Sequence, residues 1–304
     1  MTVRTAPVFI GGLSHSGKTQ LRIVLGAHPE LCLTRRTYLW TRYFGRFGDL
    51  EADGNVNRAL EALVADPRVE QLHPDRARVR REFVRGPRRY ARLFGLLHAH
   101  HAERMGMRRW GEQLGSVERF AAPIFAEFPE ARMVHMIRDP RAVIRASRAV
   151  ARKGKLGWET AMWLHSADLA EQNERRYPER YRVVRYETLA ARPLETAVEV
   201  CGFLGEELTP SMTAAVATLS FDDDGRAQGS TASTAARERR GSSFVERHAS
   251  RPLLRFGYDG GTAGLSLPEH VRFLVADWPL NRTAMTAWRA TRRRAFARQL
   301  EGVR

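Results

Sequence analysis

Apolar residues in this chain come in short runs that stop abruptly, each giving way to a stretch of helical periodicity. Val8-Phe9-Ile10 leads into Gly-Gly-Leu-Ser-His-Ser-Gly-Lys-Thr-Gln-Leu at 11–21. Met133 to Ile137 is almost continuously apolar, as a central parallel strand covered on both faces requires. It ends at Arg138-Asp139-Pro140, where Asp139 can cap the following helix and Pro140 suits a first position that needs no N–H. Beyond it Val143, Ile144, Ser147 and Val150 recur at spacings of three and four, which puts them on one helix face turned to the sheet. Leu194, Ala197, Val198, Cys201 and Leu204 form a further helical stripe ending at Gly205. Strands feeding helices in this way predict an α/β fold of three layers around a central, mostly parallel sheet.

Three segments depart from that rhythm. Residues 45–106 hold Gly/Asp-rich turns at 48–55 and predict helices around 56–65, 74–85 and 88–105. Such an insert on a rigid scaffold is expected to cover a substrate site. His98, His100 and His101 sit together in its last helix; with no Cys or acidic partner at ligand spacing, they read as a solvated face rather than a metal site. Residues 222–243 are poor in hydrophobics and rich in Asp, Gly, Ser, Thr and Ala, which predicts a mobile loop. The tail, 267–304, reads as a helical region interrupted at Pro279, with an apolar stripe of Met285, Trp288, Phe296 and Leu300 and a basic face from Arg289 and Arg292–Arg294. That stripe is expected to pack on the core or on a second subunit of an oligomer; contact with an anionic membrane surface is the alternative. The expected organisation is one domain, 1–304, with a core at 7–258, the insert at 45–106 and a C-terminal helical extension at 262–304.

Two strand–helix junctions carry the candidate chemistry. At the first, a glycine-rich turn and a helix beginning near Gly17 aim backbone N–H groups and the positive end of a helix dipole at one point, which suits an anion. Gly12 to Thr19 also satisfies the Walker A pattern, with Lys18 and Thr19 in the phosphate-contacting places. At the second, Arg138 sits at the carboxyl end of its strand, where doubly wound sheets bind ligands. Ser147, on the sheet-facing side of the helix, has two alternatives: a ligand phosphate, or a bond back to the carbonyl of Val143 or Ile144.

Four stretches together resemble the sulfotransferases that use 3′-phosphoadenosine 5′-phosphosulfate (PAPS): Ser14 to Leu21, Trp110-Gly111-Glu112, Arg138 to Ser147, and Arg185-Tyr186-Glu187-Thr188-Leu189 followed by Pro193. The resemblance spans most of residues 7–258 and implies a P-loop NTPase-like architecture. It implies that Ser16, Gly17, Lys18 and Thr19 meet the 5′-phosphosulfate, with Ser14 and Gln20 also in the cofactor-binding set. Arg138 and Ser147 would hold the 3′-phosphate, Tyr186 would approach the adenine, and Arg239-Arg240-Gly241 would complete the 3′-phosphate clamp. The 222–243 loop, which holds that turn, is then expected to order when nucleotide binds. The acceptor side is expected to draw on His28, Arg35, Arg36, Trp110 and Glu112, with Lys18 and His15 carrying catalysis and no metal required.

The departures from the family pattern are specific. His15 stands where the family has Lys or Arg two residues before the loop glycine, and Lys18 stands where it usually has Thr. Gln20 replaces a Trp that many members place under the adenine, and Arg138 to Ser147 is one residue longer than usual. His28-Pro29 is present, but Arg35 and Arg36 occupy the region of the usual general-base Glu, and a guanidinium cannot act as a base. His15, Glu30 and Glu112 remain as candidate bases, while the arginines suit an anionic acceptor.

Composition bounds the alternatives. A P-loop kinase would take the Walker A pattern literally, with Mg²⁺ on Thr19, and would need a carboxylate at the end of a buried strand. The run 133–137 ends in Arg138 and the run 182–186 in Glu187 after an aromatic, so neither supplies one cleanly. Net charge is +16, with three Lys against forty-seven Arg. The field favours polyanions, but the basic residues are spread through the chain rather than interleaved with aromatics, which argues against specific nucleic-acid binding. No apolar leader precedes Pro7, no run approaches the roughly eighteen apolar residues of a bilayer span, and Cys32 and Cys201 make no disulfide framework. The expectation is a reduced, cytoplasmic sulfotransferase that moves a sulfuryl group from PAPS, leaving PAP, to a hydroxyl of a small-molecule, lipid or glycoside acceptor.

Overall fold

The computed structural model describes residues 6–147, 154–221, 232–261 and 264–301, with backbone alone for 232–233 and 293–301. Five strands form the central sheet: β1 (Val8–Gly12), β2 (Leu31–Arg35), β3 (Arg109–Gln113), β4 (Arg132–Ile137) and β5 (Tyr181–Arg185). Their order is β2-β3-β1-β4-β5 and every ladder is parallel. The chain leaves β1 for β2 and β3 on one side, then crosses to β4 and β5 on the other. The carboxyl ends of β1 and β4 therefore flank the point where strand order reverses, the place such sheets offer to ligands.

Alternation along the strands sorts the core. Val8 and Ile10 of β1 with Val134 and Met136 of β4 pack against the Lys18–Leu25 and Pro193–Leu204 helices. Phe9 and Met133 face the other way, into the helical insert. The insert folds as the helices Asp53–Val64, Pro67–Glu70, Arg76–Phe83 and Tyr90–Arg104. Here the solvated-face expectation for its histidines is corrected. His98 is 1 % and His100 3 % exposed, because the Tyr90–Arg104 helix lies between β3 and the rest of the insert. His98 stacks on Trp110 at 4.9 Å, and His100 bonds to Glu82 at 2.8 Å.

The Ala232–Arg255 helix corrects a second expectation, the loop over 222–243. Residues 222–231 lie outside the described residues, but 232–243 are helical. Ala, Glu and Arg are good helix formers, and Phe244, Val245, Ala249 and Leu253 supply a buried stripe the preceding polar stretch does not announce. The tail forms the Leu267–Arg272 helix, a π-helical turn at Phe273–Asp277 and the Trp278–Glu301 helix, which Pro279 opens rather than interrupts. Met285 and Trp288 are buried against the Lys155–Arg176 helix, and Gly157 N donates to Asn281 Oδ1 at 3.0 Å across that contact. The described part of the expected stripe, Met285 and Trp288, thus packs on the core. The side chains of Phe296, Leu300, Arg293 and Arg294 lie outside the described residues. No described helix is long and apolar enough to cross a membrane.

Candidate active site

A cleft of about 550 Å³ opens at the carboxyl ends of β1, β3 and β4. Its floor is the 12–20 turn. The backbone there takes positive φ at Gly12 (111°), His15 (64°) and Gly17 (90°), a path that lets the chain double back before the Lys18–Leu25 helix. Gly17 is needed for space as well as conformation, since a Cβ there would meet the Tyr186 ring at 2.4 Å. Ser16 Oγ closes the turn by donating to the Leu13 carbonyl at 2.7 Å. Ser14, His15, Gly17, Lys18, Thr19 and Gln20 all line the cleft. Lys18 begins the helix, is 6 % exposed, and donates to the Leu13 carbonyl. Burial lowers its pKa to about 8; Glu118 works against that shift and Arg36 adds to it.

Three strand–helix junctions are tied together here. The Arg138 guanidinium lies 4.0 Å over the Tyr186 ring, and its Nη1 donates to the His15 carbonyl at 3.2 Å. Trp163 Nε1 holds the Arg138 carbonyl at 2.9 Å. Glu187, next to Tyr186 at the end of β5, accepts from Asp139 N at 2.8 Å and from Tyr258 at 3.1 Å. Asp139 caps the Pro140–Ala146 helix by accepting from Arg141 N, as its position before Pro140 predicts.

Beneath the floor lies a buried polar chain that motif reading missed. Glu118 accepts from Gly12 N at 3.1 Å and from Ser166 Oγ at 3.2 Å. His135 follows, 3.0 Å from Ser166 Oγ and 2.6 Å from the Tyr181 hydroxyl. Burial opposes the Glu118 charge, but His135, the Gly12 N–H and Lys18 outweigh it and hold the carboxyl below its usual range. Burial keeps His135 itself below the ordinary imidazole value. Glu118 sits in a single turn, Val117–Phe120, with no motif around it; only the pairing of β1 with β3 brings it under the loop.

On the other rim Arg36 and Tyr38 line the cleft, joined by Gln113, Gly115, Ser116 and Met162. Both Arg36 (φ 54°) and Tyr38 (φ 58°) are left-handed, a conformation non-glycine residues adopt at a cost. Between them Thr37 donates from N, at 2.9 Å, and from Oγ1 to Glu112 Oε1.

Several expected site residues stand elsewhere. Among the described residues lining the cleft, none comes from 45–106, because the insert buries its apolar face on the sheet instead. Trp110 is a core residue between His98, Phe9 and Phe128. Glu112 is fully buried behind Thr37. His28 precedes β2, at the opposite end of the sheet, with Glu206 at 3.8 Å. Glu30 is there too, its carbonyl accepting from Arg109 N at 2.9 Å. Arg35 ends β2 exposed, beside the cleft rather than lining it. Ser147 takes the back-bonded alternative, donating to the Ile144 carbonyl at 3.0 Å and to Glu159. Arg239 pairs with Glu269 and Arg240 with Asp277, the latter at 2.6 Å, and Gly241 is buried in their helix.

Comparison with known proteins gives this geometry its context. The sequence profile of the Sulfotransferase family matches residues 7–210, from β1 past β5. Carbohydrate sulfotransferase 3 of Mus musculus is 35% identical over 105 residues, covering 27% of this chain and 22% of its own. Carbohydrate sulfotransferase 5 of Mus musculus is 34% identical over 104 residues, covering 27% and 26%. The chain thus spans about a quarter of the length of the curated relatives it matches. Among solved structures, the sulfotransferase domain of the Synechococcus PCC 7002 olefin synthase has a TM-score of 0.54 at 19% identity, covering 85% of this chain and 97% of that one. The sulfotransferase domain from the curacin biosynthetic pathway has a TM-score of 0.50 at 15% identity, covering 85% and 99%. Both share the fold. With a family profile running from the first strand beyond the last, the chain belongs to the sulfotransferase family.

Proposed function

We propose that this protein transfers a sulfuryl group from PAPS to a hydroxyl of a small-molecule, lipid or glycoside acceptor. The observation that carries the reading is the convergence of the 12–20 turn, Arg138 and Tyr186 on one cleft. An adenine nucleotide phosphorylated on both sides asks for an anion-binding turn, a second cation and an aromatic surface, and these three junctions supply them. The family match supports sulfuryl over phosphoryl transfer. So does the geometry, since β4 is followed by Arg138 where a kinase would place a metal-binding carboxylate.

In this reading the loop N–H groups and Lys18 hold the charge that builds on the transferring group and on the departing 5′-phosphate oxygen. The acceptor oxygen forms a bond to sulfur as the bond from sulfur to that bridging oxygen breaks, and PAP leaves. Of the three candidate bases, His15 alone lines the cleft, so its imidazole is assigned the acceptor proton. Arg138 is assigned the 3′-phosphate and Tyr186 the adenine.

Calorimetric titration with PAP, and with ATP plus Mg²⁺ as control, tests this. Metal-independent PAP binding that weakens at least about tenfold in Arg138→Ala is expected, the loss of a charge-assisted contact. Preference for ATP with Mg²⁺ over PAP would replace this reading with the kinase.

A further inference from the structure

Beside the cleft, sharing Leu13, Ser116 and Met162 with it, lies a smaller recess of about 20 Å³ lined also by Glu118, Arg119, His165, Ser166, Trp288 and Arg292. It is on the side of the loop away from Tyr186 and Gln20, which line the cleft but not the recess. Its cations are the half-buried Arg119 and the exposed Arg292. Elsewhere the buried Arg109 meets Glu206 at 2.7 Å and the buried Arg240 meets Asp277 at 2.6 Å, while half-buried Arg132 and Arg180 turn to backbone carbonyls. Among the described residues, Arg119, Arg292 and neighbouring Arg36 make no ion pair; Arg119 has only Nε to the Ser116 carbonyl at 3.3 Å and its guanidinium over Phe120. The one acid in the wall, Glu118, has its oxygens taken by Gly12 N and Ser166. Asp168, a turn beyond His165, lies outside the wall.

Like charges gathered here oppose each other: Arg119 is held below its ordinary pKa by burial and by Arg292, with Glu118 acting the other way, and His165 by burial and by Arg119, against Glu118 and Asp168. A protein tolerates such a cluster where a ligand supplies the missing negative charge.

We propose that the recess is an acceptor subsite for an oxyanion, so that the acceptor is an organic molecule carrying a carboxylate or phosphate group near its reacting hydroxyl. This rests on the sulfotransferase reading above and narrows it. Arg119 and Arg292 pair with the oxyanion, the Trp288 and Met162 side chains flank the carbon skeleton, and the hydroxyl is directed past Leu13 toward the cleft. Arg36 offers a further cation from the opposite rim.

The test uses protein saturated with PAP, which fills the donor phosphate positions. Inorganic phosphate at constant ionic strength is expected to raise the melting temperature of the wild type by a few degrees, roughly the effect of saturating a weak site. The double variant Arg119→Gln/Arg292→Gln should bind PAP as the wild type does but lose the phosphate effect. A matched pair, 4-hydroxyphenylacetate and its carboxamide, then probes the acceptor class by calorimetry. The carboxylate should bind at least about tenfold tighter in the wild type, with the preference gone in the double variant. Phosphate without effect, an equal effect in the variant, or no preference for the carboxylate overturns the subsite. Failure to bind PAP would instead strike the donor assignment, and the wild-type-against-variant comparison with phosphate alone would still report on the recess.

Discussion

The ammonium of Lys18 begins a helix, where the dipole is positive, is 6 % exposed, and has Arg36 nearby. Only the Leu13 carbonyl and the Glu118 charge favour its proton. Its pKa falls from an ordinary 10.5 to about 8, which corresponds to about 3 kcal/mol against folding at neutral pH. The sign follows from proton counting. Between those two values the unfolded chain holds a proton that the folded chain has lost, so stability rises with pH across that window. Lys18→Met is therefore expected to abolish turnover and yet unfold later, by about 1–3 kcal/mol near pH 7. The advantage should shrink as pH rises toward about 10, because the wild type gains stability there and the variant does not. Denaturant melts of both proteins over that range decide it. A variant less stable at neutral pH, or a gap independent of pH, would show that the Leu13 contact outweighs the buried charge.

At the scale of elements, strand β3 governs the short connection after β2. Arg36 and Tyr38 hold left-handed backbone because Thr37, between them, is fixed by two hydrogen bonds to Glu112. Glu112 is in turn backed by His98, 3.6 Å away and stacked on Trp110. Glu112→Ala should release the connection and speed trypsin cleavage at Arg35-Arg36 about tenfold, the consequence of roughly 1.4 kcal/mol less protection against local opening. Glu112→Gln keeps an oxygen for Thr37 and should stay near wild type. PAP affinity should change less than about twofold in both; an equal loss of PAP binding would mean the whole cleft, not the connection, depends on this carboxylate. The motif Trp110-Gly111-Glu112 could be read from sequence, but not that its members act from behind the cleft. Strand alternation sends Trp110 and Glu112 to the same side as His98, and that requires knowing which face the insert covers. The two junctions at β1 and β4 were legible because apolar run, cap and helix phase agree locally. The Ala232–Arg255 helix was not, since its first turns lack apolar residues and their pairing with Glu269 and Asp277 is long-range. Glu118 and Arg119 were equally hidden, lying in one turn whose importance comes from what packs above it.

Across the whole molecule, charge acts over distances that no single contact spans. The chain carries +16, and Lys18, Arg36 and Arg138 open onto one cleft with no acid among its described lining residues; Glu118 is buried under the loop. In the proposed reading PAP, with a charge of about −4 at neutral pH, is drawn by that field before it touches any residue. Long-range attraction acts on encounter, whereas the desolvated contacts assigned to Arg138 and the loop would act on escape. Raising salt from about 0.05 to 0.5 M shortens the screening length from about 14 to 4 Å, so PAP association should slow about tenfold or more while dissociation changes less than about threefold. Arg138→Ala should do the reverse, leaving association nearly intact and accelerating dissociation. Stopped-flow measurement of both rates separates the two contributions. Salt dependence residing in the dissociation rate would mean that the cleft alone, and not the arginine-rich surface, recruits the nucleotide.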